Sequence, residues 1–281
     1  MAKVFEVYNK AISEGKEYGV ISHDLRVLLA HAQGYLEPVD VLLRKDDEVK
    51  DIFLFESGFA LLKKGVPVEY IVNEASFLGR KLYVDGNVLI PRMETEELVS
   101  KISEKVSDYY DPRNYLVVAD IGTGSGAIAI VLKQSFKNWL VNASDISKKA
   151  LEVAERNFKA NNVNIPTMLG PSLQPYIEAK MNLDIIVSNP PYIRNRDEVQ
   201  QSVKEYEPAS ALYLEEGKSV YEDIFRDYKK VKRGSLWMAF EIGYDLKEYL
   251  TELMNRYLED YEYEFAEDID GMLRFLFVYC R

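Results

Sequence analysis

Two short stretches of this sequence combine residue types at spacings that could do chemistry. The first is Asn189-Pro190-Pro191-Tyr192. Consecutive prolines fix the backbone and remove two N–H donors. The carbonyls of Asn189 and Pro190 then form a rigid array beside the Asn189 side-chain oxygen. Such an array accepts hydrogen bonds from an NH₂ group, and Tyr192 offers a face for a planar amide or base. An amide or aryl NH₂ is a poor nucleophile, because its lone pair is delocalised. Two acceptors that hold its N–H bonds aim the lone pair and stabilise positive charge developing on nitrogen. Asn189, Pro190 and Tyr192 are therefore the candidate catalytic residues. With Pro191 they form the candidate substrate-binding set. Taken alone, these four residues have a lesser alternative as a Pro-rich turn after a strand.

The second stretch is Asp120-Ile121-Gly122-Thr123-Gly124-Ser125-Gly126, which follows an apolar strand and opens a helix. Glycines permit a tight turn and close approach of a ligand to backbone. In a parallel sheet, ligands bind beyond the C-terminal strand ends. The spacing is Gly-x-Gly-x-Gly, whereas a dinucleotide site favours Gly-x-Gly-x-x-Gly with a helix N-terminus facing pyrophosphate. S-adenosylmethionine has no phosphate and carries a positive sulfonium, and an acidic Asp120 at the head of the loop suits it. Asp145 ends the next strand, roughly 20 residues beyond the loop, where an acid accepts hydrogen bonds from ribose hydroxyls. The alternative for Asp145 is a helix N-terminal acid held by the helix dipole.

These stretches need a sheet to position them. From Tyr115 the pattern alternates strand and helix, which predicts a mostly parallel sheet with helices on both faces. Strands are expected at Tyr115–Ile121, Trp139–Ser144, Thr167–Leu169, Leu183–Ser188, Leu236–Ile242, Glu262–Ala266 and Met272–Tyr279. Helices are expected from Gly126, over Lys148–Asn161 and over Leu246–Leu258. Ser219-Val220-Tyr221-Glu222 reads as a capping box opening a further helix, with Gly234 at its end. The part before about Val72 reads helical. Leu25, Leu28, Leu29 and Ala32 form one apolar series ending near Gly34, and Val49, Ile52, Phe53, Phe59 and Leu62 form another closed by Gly65 and Pro67. Between the two parts, Phe77–Val84 and Val88–Ile90 flank Asp85-Gly86-Asn87, a hairpin signal.

Composition narrows the class. The chain has 281 residues, 47% hydrophobic and 29% charged, as globular proteins do. Apolar runs such as Leu183–Val187 are too short to cross a bilayer, which takes roughly 20 residues. Met1–Glu17 has no apolar signal core. The lone Cys280 precludes an intrachain disulfide and points to a reducing cytoplasm. His23 and His31 lie outside metal-ligand spacing, so no metal is expected. A net charge of −11 argues against a dedicated nucleic-acid binder.

Beyond these readings, Asp120–Ile130, Asp145 and Asn189–Ile193 resemble the class I S-adenosylmethionine methyltransferases that modify amino or amide nitrogen. The chain is similar more narrowly to the release factor glutamine methyltransferases. The distinguishing segment is Val88–Val99, with Pro91-Arg92-Met93-Glu94-Thr95-Glu96 close to the family's Pro-Arg-Pro-Glu-Thr-Glu run. Leu28–His31, Gly65–Ile71, Glu207-Pro208 and Glu241-Ile242-Gly243 resemble other family segments. The resemblance implies an α/β fold: a seven-stranded Rossmann-like methyltransferase sheet with a small N-terminal helical domain, joined by a β-hairpin. The expected boundaries are a substrate-recognising domain at 1–73, a hairpin linker at 74–93 and the catalytic domain at 94–281. Gly122, Thr123, Gly124, Ser125, Gly126 and Asp145 would hold S-adenosyl-L-methionine, with Thr95, Ser172 and Asn189 also at the cofactor and S-adenosyl-L-homocysteine as product. Asn189 and Pro190 would hold a glutamine amide, with Tyr192 packed on it. The protein substrate would be a peptide chain release factor, modified at the glutamine of its Gly-Gly-Gln motif, without a nucleic-acid or membrane partner. The alternatives are a ribosomal-protein glutamine methyltransferase and an adenine-N6 or guanine-N2 methyltransferase. Two departures stand out. Met93 replaces the family's usual proline, and Ser172 stands where an aromatic or larger apolar residue is common.

Overall fold

The computed structural model describes residues 2–214 and 219–281. Two compact units are distinguished: residues 1–74 with 199–206, and residues 75–198 with 207–281. The smaller unit is helical. It contains α1 (Val4–Gly15), α2 (Ser22–Gln33), α3 (Asp40–Leu43), α4 (Ile52–Leu62) and α5 (Val68–Val72), and later in the chain α10 (Gln201–Tyr206). Leu25, Leu28, Leu29, Phe55, Phe59 and Leu62 form its core. Gly34 ends α2 in the left-handed region (φ 67°), as its place after the apolar series predicts. Gly58 makes room for α2, since a Cβ there would lie 2.4 Å from Leu28 Cδ1 and that buried side chain would have to shift. One expectation fails within α4: Phe53 is 79% exposed, and Phe55 points inward instead. Its first four positions, Ile52 to Phe55, are all apolar, which left the phase of that helix ambiguous.

The larger unit begins with β1 (Ala75–Phe77) and β2 (Arg80–Leu82), followed by α6 (Met93–Lys105). It continues through β3 (Val117–Ile121), α7 (Ala127–Ser135), β4 (Leu140–Asp145), α8 (Lys148–Ala160), β5 (Thr167–Leu169), α9 (Gln174–Glu178) and β6 (Leu183–Ser188). After α11 (Ala209–Leu212) come α12 (Val220–Asp227), β7 (Lys232–Glu241), α13 (Lys247–Tyr257), β8 (Tyr261–Glu267) and β9 (Leu273–Cys280). Seven strands form one sheet in the order β5-β4-β3-β6-β7-β9-β8. The first five are parallel and the last two join antiparallel. Side chains alternate between two cores, as period-2 geometry requires. Ile185, Val187, Trp237, Phe275 and Phe277 enter one core, and Ile186, Met238, Phe240, Leu276 and Val278 the other. Both faces are therefore dry, and these strands read as continuous apolar runs.

Two local expectations are corrected. The hairpin turns at Leu78-Gly79 (φ 45° and 74°), not at Asp85-Gly86-Asn87. Two consecutive positive φ angles make the tight hairpin geometry, and Leu78 takes one despite its Cβ. Glu96 Oε1 accepts the Leu78 N–H at 2.8 Å and fixes that turn. Asp85 forms a local turn of its own, accepting from the Asn87 N–H at 2.9 Å. Gly234 does not end α12. It lies inside β7 with φ 79°, where the pairing with β6 shifts register between Leu183 and Ile185. Its positive φ serves a bulge there. The Ser219 cap itself is present, its Oγ accepting from the Glu222 N–H at 3.3 Å.

Candidate active site

The parallel order places the C-terminal ends of β3, β4 and β6 side by side. These ends carry the glycine loop, Asp145 and Asn189. A cavity of about 340 Å³ opens over them, within the usual range of roughly 300–1,000 Å³ for ligand pockets. Thr95, Gly122, Thr123, Gly124, Ser125 and Asp145 line it. So do Ser172, Asn189, Pro190 and Pro191.

The loop is built from inside. The Ser144 carbonyl accepts from Gly122 N and Thr123 N at 2.9 Å each, and Thr123 O accepts from Gly126 N at 2.8 Å. Asp145 Oδ2 accepts from Gly124 N at 3.0 Å, and Oδ1 accepts from Ser147 N at 2.8 Å. Asp145 caps the turn into α8 and presents a carboxylate at the cavity wall. Burial pushes its pKa up, against the backbone donors that stabilise the charge. Asn157, which sequence reasoning missed, donates to Ser125 O at 2.8 Å and exchanges two hydrogen bonds with the Tyr83 backbone. Gly126 lies off the cavity wall. Its role is closeness, since a Cβ would meet Phe158 Cε1 at 2.5 Å.

Asp120 is not where a sulfonium would need it. It is fully buried below the loop. Its Oδ2 accepts from Thr123 Oγ1 at 2.6 Å and from Ala129 N at 3.1 Å. Ala129 is the third residue of α7, so the chain's own carboxylate occupies the helix N-terminus. Four loop N–H groups and this helix start are thus committed internally. Those five donors are not available to a pyrophosphate.

Burial pushes the Asp120 carboxyl up to about 7, with Thr123 and Ala129 pulling the other way. A raised acid pKa means that the folded state holds the proton more tightly. Stability is then greatest below the unfolded value near 4, and is lost as pH rises to about 7. The loss is up to about 4 kcal/mol by linkage. Asp120→Asn should flatten this dependence. Its Tm should equal or exceed wild type at pH 8, with the difference shrinking toward pH 5. A variant less stable at pH 8 than at pH 5, relative to wild type, contradicts the assignment.

At the other end of the cavity, Ser188 Oγ donates to Ile121 O at 2.6 Å and locks β6 to β3. Asn189 Nδ2 donates to Thr95 Oγ1 at 3.0 Å. Thr95 in turn donates to Glu241 Oε2 at 2.6 Å. Tyr192 does not contribute to the wall of this cavity. Its ring lies near Gly243, and its hydroxyl donates to Glu241 Oε1 at 3.1 Å. Burial pushes its phenol well up. Glu241 was not singled out as a site residue from sequence. The available signal was a lone carboxylate closing an apolar strand, which must find partners if buried.

The segment before α6 supplies another part of the wall, through Asn87, Val88, Leu89 and Pro91. The buried Glu207 holds it, accepting from Ile90 N at 3.3 Å and pairing with Arg92. Arg92 and Glu96 are therefore tied into structure and are not free first-turn charges. Met93 is the first residue of α6 and is 75% exposed. That is a position where proline is favoured but not needed. Ser172 has φ 47°, and its buried Oγ has no partner among the described residues.

Residues 95–254 match the family described as the methyltransferase small domain. The release factor glutamine methyltransferase of Bacillus subtilis (strain 168) is 34% identical over 276 residues, covering 96% of each chain. The chain belongs to the release factor glutamine methyltransferase family. The family member from Streptococcus pneumoniae (strain ATCC BAA-255 / R6) is 40% identical over 215 residues, covering 75% of this chain and 74% of its own. Among solved structures, the hMettl16 catalytic domain, in complex with a hairpin of the MAT2A 3′UTR, superposes with a TM-score of 0.52 at 18% identity. That match covers 71% of this chain and 74% of the other, and it shows the fold alone. In this family setting, the corrected role of Asp120 is to build the loop from beneath.

Proposed function

We propose that this protein transfers a methyl group from S-adenosyl-L-methionine to the side-chain amide nitrogen of a release factor glutamine, that of the Gly-Gly-Gln motif. The observation that carries the reading is that Asn189-Pro190-Pro191 and the glycine loop line one cavity. The names of the relatives, matched over most of both chains, support the release factor as substrate.

The residues present fit the cofactor. The committed loop donors suit a ligand without phosphate. The unpaired, buried Ser172 Oγ on the cavity wall is a polar atom suited to a ligand partner. Gly122, Thr123, Gly124, Ser125, Asp145, Ser172, Thr95 and Asn189 would surround it, with Gly126 closing the loop onto α8. When bound, S-adenosylmethionine supplies an electrophilic methyl group on a sulfonium, and S-adenosyl-L-homocysteine is the product.

The chain's own residues do the rest. Asn189 and Pro190 hold the amide N–H bonds and stabilise positive charge developing on nitrogen. No described residue donates to the carbonyls of Asn189 or Pro190, which leaves both as acceptors. Pro191 keeps this array rigid. Thr95 and Tyr192 hold it from behind, through Glu241. The helical unit is proposed to recognise the protein substrate. No described helix is long and apolar enough to cross a membrane. With release factors as substrates, the cytoplasm is the proposed location.

The test is labelling with radioactive cofactor. Purified protein should label a release factor and leave its Gly-Gly-Ala variant unlabelled. Ribosomal protein, DNA and RNA run in parallel should remain unlabelled. Equal labelling of the Gly-Gly-Ala variant refutes the proposal.

A further inference from the structure

Glu241 is fully buried at the end of β7, yet it carries a carboxylate. Its two oxygens are spent on two different elements of the candidate site. Oε2 accepts from Thr95 at 2.6 Å, and Oε1 accepts from Tyr192 at 3.1 Å. Thr95 has one hydroxyl hydrogen, and it goes to Glu241. Its oxygen is then left as an acceptor, and Asn189 Nδ2 fills it at 3.0 Å.

This chain of bonds has a direction. An asparagine amide can flip, because its oxygen and nitrogen ends are nearly isosteric. A threonine hydroxyl can donate or accept. Only an ionised carboxylate is an obligate acceptor, so it sets the direction for both. With Glu241 ionised, Thr95 must donate to it, and Asn189 must turn Nδ2 toward Thr95. The Asn189 oxygen is then left free as an acceptor. Were the direction reversed, Thr95 would donate to Asn189 Oδ1, and Nδ2 would take the place of the acceptor. A substrate NH₂ would then face a donor.

We propose that Glu241 is a positioning residue whose carboxylate, acting through Thr95, orients the Asn189 amide as an acceptor for the substrate nitrogen. This rests on the proposed methyl transfer to an amide.

The groups facing Glu241 define its pH behaviour. Burial acts most strongly and raises its pKa to about 7. Thr95 and Tyr192 lower it through their hydrogen bonds, Glu94 raises it through like charge, and Arg274 lowers it. Arg274 is itself anchored to Asp268 Oδ2 at 3.3 Å. Tyr221 does not compete for the carboxylate, because its hydroxyl donates to the Glu241 backbone carbonyl at 2.7 Å. A protonated Glu241 gains a hydrogen to donate and no longer dictates the direction. Turnover should therefore be lost as pH falls through about 7.

The experiment compares wild type, Glu241→Gln, Thr95→Val and Thr95→Ser. Glutamine keeps the volume but replaces one acceptor oxygen by a donor. The kcat for release factor should fall roughly ten- to a hundredfold in Glu241→Gln and Thr95→Val. In Glu241→Gln, the KM and the calorimetric Kd for S-adenosylhomocysteine should stay within about threefold, since neither measures the amide direction. Thr95→Ser should restore turnover, as it keeps the hydroxyl. The acid limb of kcat should be present in wild type and absent in Glu241→Gln. A second readout needs no turnover. The Asn189 side-chain amide NMR signal, assigned by its loss in Asn189→Asp, should titrate in wild type and not in Glu241→Gln. Wild-type kcat and an unchanged acid limb in Glu241→Gln overturn the inference. So does a cofactor Kd that rises by the same factor as kcat falls. If Glu241→Gln fails to fold, the Thr95→Val and Thr95→Ser pair decides, and equal kcat in the two overturns it. Absence of wild-type turnover on any release factor defeats the proposed function instead, and the NMR titration still reads the orientation.

Discussion

Asn189→Ala should abolish most turnover while leaving the cofactor bound. The substitution removes the side-chain acceptor at the cavity wall and the donor that fills Thr95 Oγ1. Loss of one preorganised group aimed at developing charge typically costs about a hundred- to a thousandfold in kcat. The loss should appear in kcat and kcat/KM together, because the interaction strengthens as charge develops on nitrogen. Cofactor affinity should fall far less, since the glycine loop and Asp145 hold each other independently of Asn189. Single-turnover kinetics and calorimetry on the same preparation separate the two effects. Near-normal turnover would show that the amide is held elsewhere. Asn189→Asp adds a sharper comparison. It keeps an acceptor but brings a second negative charge next to the Thr95–Glu241 pair, so it should not rescue activity.

The second large effect is on stability. Gly126→Ala should destabilise the protein by about 3 kcal/mol, from two terms of roughly 1–3 kcal/mol each. Gly126 has φ 82°, which L side chains rarely adopt. A Cβ there would also lie 2.5 Å from Phe158 Cε1 and 3.3 Å from Ala154 Cβ. Phe158 is buried on α8 among the main core residues, so its ring has little room to retreat. A fall in Tm of roughly 6–12 °C is expected for a unit of this size. The effect should reach the cofactor site, because the same α8 supplies Asn157 to the loop carbonyl of Ser125. Cofactor Kd should therefore rise along with the loss of Tm. An unchanged Tm would mean that Phe158 swings aside and that close approach is not what the glycine provides. Gly122→Ala is the informative control. Its φ of 71° carries the same backbone strain, but nothing lies within 4 Å of the added Cβ. It should cost only the first of the two terms.

The sequence by itself determined the order of strands and helices from Tyr115 onward, and with it the place of the site. Thr167–Leu169 and Leu183–Ser188 fall on their observed bounds because both run between clear breakers. The Gly-x-Gly-x-Gly loop and Asn189-Pro190-Pro191 were legible for a related reason. Glycine and proline state their backbone demands locally, whatever surrounds them. Elements whose geometry depends on distant partners were not legible. The hairpin turns at Leu78-Gly79, because Glu96 of α6 holds the Leu78 N–H. Asp-Gly was the stronger local signal, and it lost to a contact 18 residues away. Gly234 reads as a helix end and serves a bulge, because β7 must meet β6 in a particular register.

Side-chain roles divide in the same way. The sequence could nominate Asp120, Asp145 and Tyr192 as polar groups near a cavity. It could not say that Asp120 faces α7 or that Tyr192 faces Glu241, because strand phase and burial decide those directions. Glu241 itself stands 52 residues beyond Asn189 and 146 beyond Thr95 in the chain. Only the parallel pairing of β6 with β7 brings it to the same sheet edge. Local preference fixed where the backbone turns and which residues could act. Tertiary packing fixed the directions of the hydrogen bonds, because a buried polar group takes its partner from whatever the fold places beside it.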